Sequence, residues 1–234
     1  MPVSGDRNAT TLGIIGGAGV GAAARLYSDV SFASRAQTGA LPRVLLWNIP
    51  FDDEIERGFT SSTPDPAAMA AAEALVAEAV DRLSDGGASV IAMPCNSLQR
   101  VAAQASARAG IPFIDMIAST ADSARAQGSS SAVLLATDAT LAAGFYDGHG
   151  IEMLAPPPPL QAELKAIIGA AVAGAGEPHS LASLVERARR PQTPIVLGCT
   201  DICGMIDVDH AVVESLGCLT ARCVDVLSGA EVAA

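Results

Sequence analysis

The sequence predicts an α/β protein with parallel sheets in two Rossmann-like halves. Three observations point there. Short continuous runs of Val, Ile and Leu read as strands buried on both faces, which is the pattern of parallel sheet. Ala-rich stretches of helical length separate them. The strand ends also come in matching pairs. Leu12-Gly13-Ile14-Ile15-Gly16-Gly17 and Val133-Leu134-Leu135-Ala136-Thr137 each open a βα unit. Val90-Ile91-Ala92-Met93-Pro94-Cys95-Asn96-Ser97 and Ile195-Val196-Leu197-Gly198-Cys199-Thr200-Asp201 each end one. A strand count close to eight fits a closed barrel or two four-stranded halves, and the paired ends favour halves. The expected division is 1–98 plus 208–234 for the first half and 99–207 for the second.

The elements follow in chain order. Leu12–Ile15 is a strand that runs into glycines, and a helix starts near Val20. Arg43–Trp47 is the second strand, and Asp52–Glu54 reads as a solvated acidic loop. Ser61-Ser62-Thr63-Pro64-Asp65-Pro66 supplies cap residues, and prolines where a first turn tolerates them, for a helix over Ala67–Leu83. Asp85-Gly86-Gly87 stops it. Ser89–Met93 is a strand, Ser97–Ala109 a helix, Ile111–Ile114 a strand and Thr120–Gln127 helical. Ala132–Ala136 is a strand, Leu141–Tyr146 a short helix and Ile151–Leu154 a strand. Pro156–Pro159 reads as a rigid connector. Gln161–Ala173 and Leu181–Arg190 are helices, Pro194–Leu197 a strand and Val212–Leu227 a closing helix.

The 234 residues carry a net charge of -11. Phosphate binding needs clustered Lys and Arg, so nucleic acid is excluded as a partner. No apolar run reaches the roughly 18–20 residues of a membrane span. The polar start, MPVSGDRNATT, shows no secretory signal, so a cytoplasmic location is expected. Five cysteines is an odd count for a disulfide framework, which directs attention to catalysis or metal binding.

Cys95 and Cys199 each follow a strand and precede a predicted helix. In open α/β sheets ligands bind at that edge. A thiol at a helix start lies in the positive end of the dipole, which favours the thiolate. Two such thiols facing one cleft can work as a pair: one takes a proton from a substrate carbon, the other returns one to the opposite face. This chemistry needs no metal and no cofactor. Two other motifs compete. Gly17-Ala18-Gly19-Val20-Gly21-Ala22 fits the loose dinucleotide fingerprint, but the second strand ends in Trp47-Asn48 rather than in the acid that holds a ribose. Cys199, Cys203, Cys218 and Cys223 have spacings unlike a zinc knuckle, so no metal site is expected. His149, His179 and His210 lie in polar, loop-like contexts and are expected at the surface.

Thr11–Gly19 (TLGIIGGAG), Met93–Gln99 (MPCNSLQ), Val133–Tyr146 (VLLATDATLAAGFY) and Val196–Ile202 (VLGCTDI) together resemble the pyridoxal-phosphate-independent aspartate/glutamate racemase superfamily. The two cysteine motifs lie about one hundred residues apart. The resemblance implies two halves related by a pseudo-twofold axis, with the active site in the cleft between them. It implies Cys95 and Cys199 as opposed acid/base residues and no cofactor. Gly16, Gly17, Asn48, Asn96, Ser97, Thr137, Thr140, Thr200 and Asp201 are the expected substrate-binding residues. The substrate is expected to be a small amino acid or carboxylic acid, and a homodimer is expected by analogy. Relatives in the same superfamily isomerise, decarboxylate or act on hydantoins through the same thiols, and these remain alternatives. So do a nicotinamide-binding oxidoreductase and an inactive binding protein.

The chain also departs from the superfamily pattern. Family members often read CNTAH where this chain has Cys95-Asn96-Ser97-Leu98-Gln99, so Gln99 replaces a histidine. Asp201 stands where Glu is common. Aspartate-selective members resemble one another in an Arg soon after the second strand and a Lys before the last. Here no Arg appears until Arg57, Gly174–Ser180 offers no lysine, and Lys165 is the only lysine of the chain. The expected substrate is therefore not simple aspartate or glutamate.

Overall fold

The structure, a computed structural model, describes residues 10–207 and 209–232. The polar start read for a signal lies mostly outside these residues. Strand β1 (Thr11–Gly16) is buried along almost its whole length, as its apolar run requires. It is followed by α1 (Val20–Thr38), β2 (Arg43–Asn48), α2 (Asp53–Thr60), α3 (Pro66–Asp85), β3 (Val90–Ala92), α4 (Gln99–Ala109) and α5 (Met116–Ala126). The second run comprises β4 (Ser131–Leu135), α6 (Asp138–Ala142), β5 (Glu152–Leu154), α7 (Pro158–Val172), α8 (Pro178–Ala188), β6 (Ile195–Leu197), β7 (Val212–Glu214) and α9 (Ser215–Leu227).

Both sheets are parallel. The first has the order β2-β1-β3 and the second β5-β4-β6-β7. A single parallel bridge from Ile91 to Phe113 extends the first sheet to a fourth position. The two sheets thus repeat one connectivity, with β1, β2 and β3 matched by β4, β5 and β6, and Phe113 matched by β7.

Several expectations are corrected. Ile111–Ile114 is not a full strand, because Pro112 has no N–H to give to a ladder. The segment expected to start the last helix at Val212 is first a strand, as the β-branched pair Val212-Val213 favours, and α9 opens only at Ser215. Asp52–Glu54 is not a loop: Asp52 caps α2 by accepting from the backbone N–H of Glu54 (3.0 Å) and Ile55 (2.8 Å). Pro158 and Pro159 form the first turn of α7 rather than a connector.

The expected division at residue 98 is also overtaken by the packing. Helix α4 lies on α3, and the Phe113 bridge joins the first sheet, so the first half runs on through residue 114. Helix α9 packs on α1 and β1 of the first half, and on β7 and α5. Its apolar residues Leu216, Leu219 and Val226 join Leu12, Ile14, Leu26, Leu135 and Leu197 in a core shared by both sheets. Burying such side chains stabilises the fold by roughly 1.5–3 kcal/mol each, so one core holds the halves together. No helix among the described residues is long and apolar enough to cross a membrane.

Candidate active site

The carboxyl ends of the inner strands of both sheets converge. Ala18 follows β1, Cys95-Asn96-Ser97 follows β3, Thr137 follows β4, and Gly198-Cys199-Thr200-Asp201 follows β6. Together they line one cavity of about 400 Å³. Helix α2 closes one side with Asp53, Glu56, Arg57 and Thr60. Helix α7 closes another with Lys165, Ile168, Gly169 and Val172. Each set is spaced at three and four residues, the spacing that puts side chains on one helical face. Helix α2 also packs on α6, so the first half closes onto the second.

Of the expected site residues, Cys95, Asn96, Ser97, Thr137, Thr140, Cys199, Thr200 and Asp201 line the cavity, whereas Gly16, Gly17 and Asn48 do not. The glycines answer to backbone packing. Gly17 has φ +113, and a Cβ there would lie 2.2 Å from the Ile49 carbonyl oxygen. Gly19 has φ +81, and a Cβ there would lie 2.3 Å from Oδ1 of Asp201. A carboxylate pressed on the glycine turn repels a pyrophosphate, which argues against the dinucleotide reading of this loop. Asn48 donates weakly to the Ile49 carbonyl (3.4 Å).

The polar side chains are partly committed to the protein. Thr200 Oγ1 donates to the Pro94 carbonyl (2.8 Å), tying the two thiol turns together. Asn96 is buried; its Oδ1 accepts from Tyr146 OH (2.8 Å) and its Nδ2 donates to Ser215 Oγ (3.3 Å). Ser97, Thr137 and Thr140 form a triangle of hydroxyls at 3.3, 3.3 and 3.0 Å. This triangle bridges the halves and offers rotatable donors to an anion.

The thiols are not at helix starts of equal kind. Cys95 lies four residues ahead of α4, in a turn whose Leu98 and Ser97 amides point at it. Cys199 leads into turns and then β7, not a helix. Burial pushes the Cys95 thiol up to about 12, outweighing the two amides that lower it. Burial and the nearby Asp201 carboxylate push Cys199 well above its usual range. The thiolate character expected from the dipole alone is thus overridden by desolvation. Cys199 Sγ donates to Asp201 Oδ2 at 3.8 Å. Burial, with the Glu56 charge, raises Asp201 to about 6. Glu56 itself is raised by burial and by Asp53.

Two cations that the sequence reasoning set aside also reach the wall. Lys165, on α7, pairs with Asp138 at 3.0 Å, and Arg57 projects from α2. Their signal was helical phase: Lys165 shares a face with Ile168, Gly169 and Val172. Cys203 and Cys223 are buried and Cys218 half-buried; all five cysteines are free. No group of three or more His, Cys, Asp or Glu among the described residues is placed to hold a metal ion.

The Asp/Glu/Hydantoin racemase family matches residues 15–234. The chain belongs to this family. Solved structures agree on the fold. A candidate Asp/Glu racemase from Yersinia pestis is 24% identical with a TM-score of 0.78, over 94% of this chain and 99% of that one. An aspartate racemase homologue from Pyrococcus horikoshii OT3 is 22% identical with a TM-score of 0.73, also over 94% and 99%. An arylmalonate decarboxylase is 17% identical with a TM-score of 0.56, over 94% of each chain. At such identities the family's fold is shared while the reaction is open to either chemistry.

Proposed function

We propose that this racemase-family protein is a cofactor-independent amino-acid racemase or epimerase in which Cys95 and Cys199 exchange protons with the two faces of the substrate Cα. The observation that supports this reading most is the convergence of two thiols, one from each half, on one cavity.

Burial favours the protonated form of both thiols, so a thiolate has to be generated on demand. Asp201 is the local acceptor. Its raised pKa brings it closer to a thiol than an ordinary carboxylate stands, which makes the transfer less uphill. In one direction the Cys199 S–H proton passes to the Asp201 carboxylate. The resulting thiolate removes the Cα proton and leaves a carbanion stabilised by the adjacent carboxyl. Cys95 then gives its S–H proton to the opposite face and is left as the thiolate, while Cys199 keeps the proton taken from Cα. Once the product leaves, Asp201 gives up its proton and Cys95 takes one, both by exchange with water, which restores the starting state. The substrate carboxylate is read onto the Ser97, Thr137 and Thr140 hydroxyls. Its ammonium faces Asp201 and Glu56, and that positive charge favours the thiolate.

The preferred substrate is an amino acid with a neutral side chain. Acids outnumber bases in the wall, Lys165 is already paired with Asp138, and Phe59, Ile168 and Val172 supply an apolar surface. A dicarboxylate is the second reading, favoured by Lys165 and Arg57 lying in that wall.

The experiment is Cα hydrogen exchange in deuterated buffer across an amino-acid panel of both hands, with chirality and mass of the products recorded. Exchange with racemisation, lost by about 10³-fold or more in the Cys95→Ala, Cys199→Ala double variant, is expected. Exchange that survives the double variant defeats the two-thiol mechanism. Loss of carbon dioxide without inversion moves the protein to the decarboxylase alternative.

A further inference from the structure

We infer that Gln99 and Cys203 are matched positioning residues, each holding one acid/base thiol by the same two carbonyls, an assignment that rests on the two-thiol reading above. Each stands four residues after its thiol. Gln99 Nε2 donates to the Met93 carbonyl at 2.5 Å and to the Cys95 carbonyl at 3.2 Å. Cys203 Sγ lies 3.6 Å from the Leu197 carbonyl and 3.4 Å from the Cys199 carbonyl. In both turns the braced carbonyls belong to the thiol residue and to the residue two before it. Neither Gln99 (4% exposed) nor Cys203 (0%) lines the cavity, so neither touches a substrate there.

The two braces differ in strength. Gln99 also accepts from the Met116 N–H at 3.1 Å, so both ends of its amide are engaged and its turn is pinned to the start of α5. Cys203 has one weak S–H to share between two carbonyls. The braces are joined behind the cavity through side chains. Asn96, next to Cys95, donates to Ser215 Oγ at 3.3 Å, and Ser215 Oγ lies 3.8 Å from Cys203 Sγ. With the direct Thr200–Pro94 hydrogen bond, this buried path links one thiol turn to the other. A misplacement of about 1 Å between reacting groups costs on the order of 10²-fold in rate, so such a path matters for a two-thiol reaction.

The test is made on the full chain with Gln99→Glu, Gln99→Ala, Cys203→Ala and Cys203→Ser. Each variant is alkylated with iodoacetamide, and Cys95 and Cys199 are quantified separately by mass spectrometry, alongside a melting curve. Gln99→Glu keeps the shape and the acceptor for Met116 but loses both donors. Cys95 is half-buried and Cys199 buried, each held in place by its turn, so loosening one turn opens access to its own thiol and speeds its labelling. Gln99→Glu and Gln99→Ala are expected to raise Cys95 labelling about fivefold or more, with Cys199 within about twofold. Cys203→Ala is expected to do the reverse, and Cys203→Ser, which restores a donor, to return Cys199 to within about twofold of the parent. Labelling of both thiols that moves together with the melting temperature, or does not move at all, overturns the assignment. If the Gln99 variants fail to fold, the Cys203 pair decides by the same criterion. Labelling as expected, together with no Cα exchange on any amino acid, leaves the braces standing and removes the racemase reading.

Discussion

The Cys95 turn and the Cys199 turn follow equivalent strands in sheets of equal connectivity, yet they are built from different chemistry. The Cys95 turn is held by a full carboxamide, and its thiol faces two backbone amides and no hydrogen-bonded carboxylate. The Cys199 turn is held by a shared S–H, and its thiol gives its hydrogen to Asp201. A duplicated backbone therefore does not bring duplicated proton handling. Geometry repeats because strand order and the +4 brace repeat. Proton affinity diverges because it depends on which side chains the cleft closes over. One thiol has a local acceptor and the other depends on the protein's dipoles.

The widest separation between the turns is expected from Asp201→Asn. The variant keeps the shape and removes the acceptor for Cys199 alone. Racemisation should fall by about 10²–10³-fold, within the usual contribution of one acid/base group. In the parent, kcat/KM should rise with pH through about 6, where Asp201 becomes carboxylate; that inflection should vanish in the variant. Stability should move the other way. Asp201 titrates at about 6 folded, against 3.8 as its ordinary value, so the folded state binds the extra proton between those values. The parent then loses stability as pH rises through this window. At pH 8 Asp201→Asn should be more stable by about 1–3 kcal/mol, and below about pH 4 the gain should disappear. Urea unfolding at both pH values measures it. A variant less stable than the parent at pH 8 would mean that the half-buried carboxylate is better compensated than Gly19 and Cys199 allow.

Much of this comparison was legible before folding, and the part that was not has a physical cause. Cys95 and Cys199 stand out because each follows an apolar strand and precedes small polar residues, a local signal. Ser97, Thr137 and Thr200 could be placed near them for the same reason. Burial was not legible. The sequence shows a thiol near amides but not the desolvation that outweighs them, so the direction of the pKa shift was misread. The side walls were missed for a related reason. Asp53, Glu56, Arg57 and Thr60 on α2, like Lys165, Ile168 and Val172 on α7, look in sequence like any amphipathic helix. Only the closing of one half on the other tells which face meets the cleft. Gln99 read as a missing histidine, because its three hydrogen bonds are to backbone groups that a sequence does not bring together.

A smaller effect is expected where the two turns are joined. Tyr146→Phe removes the hydroxyl that donates to Asn96 and leaves a buried Oδ1 without that partner. The cost should be about 1–3 kcal/mol by chemical unfolding. Ser215→Ala removes the other partner of the same amide. Because Asn96 connects the two, the double variant should differ from the sum by at least about 0.5 kcal/mol. Additive costs would mean that the two bonds act independently and that the path between the turns is not a path.

The smallest effect is expected from Lys165→Met, and its size is informative. The Lys165 side chain is 72% exposed and its pair with Asp138 is at the surface. Exposed pairs contribute about 0–1 kcal/mol, so the melting curve should scarcely move. Asp138 keeps its hydrogen bond from Gln161 Nε2 at 2.9 Å, so α6 and the Thr137 hydroxyl should stay in place. The hydrogen bond of Lys165 goes to Asp138 and to neither thiol turn, and with a neutral amino acid KM should change by less than about threefold with kcat intact. A dicarboxylate substrate predicts the opposite pattern, in which the second carboxylate loses a charge-assisted partner worth about 1.5–3 kcal/mol and KM rises roughly 10–100-fold. A single steady-state comparison of the variant on a neutral and an acidic amino acid therefore separates the two substrate readings without disturbing either thiol.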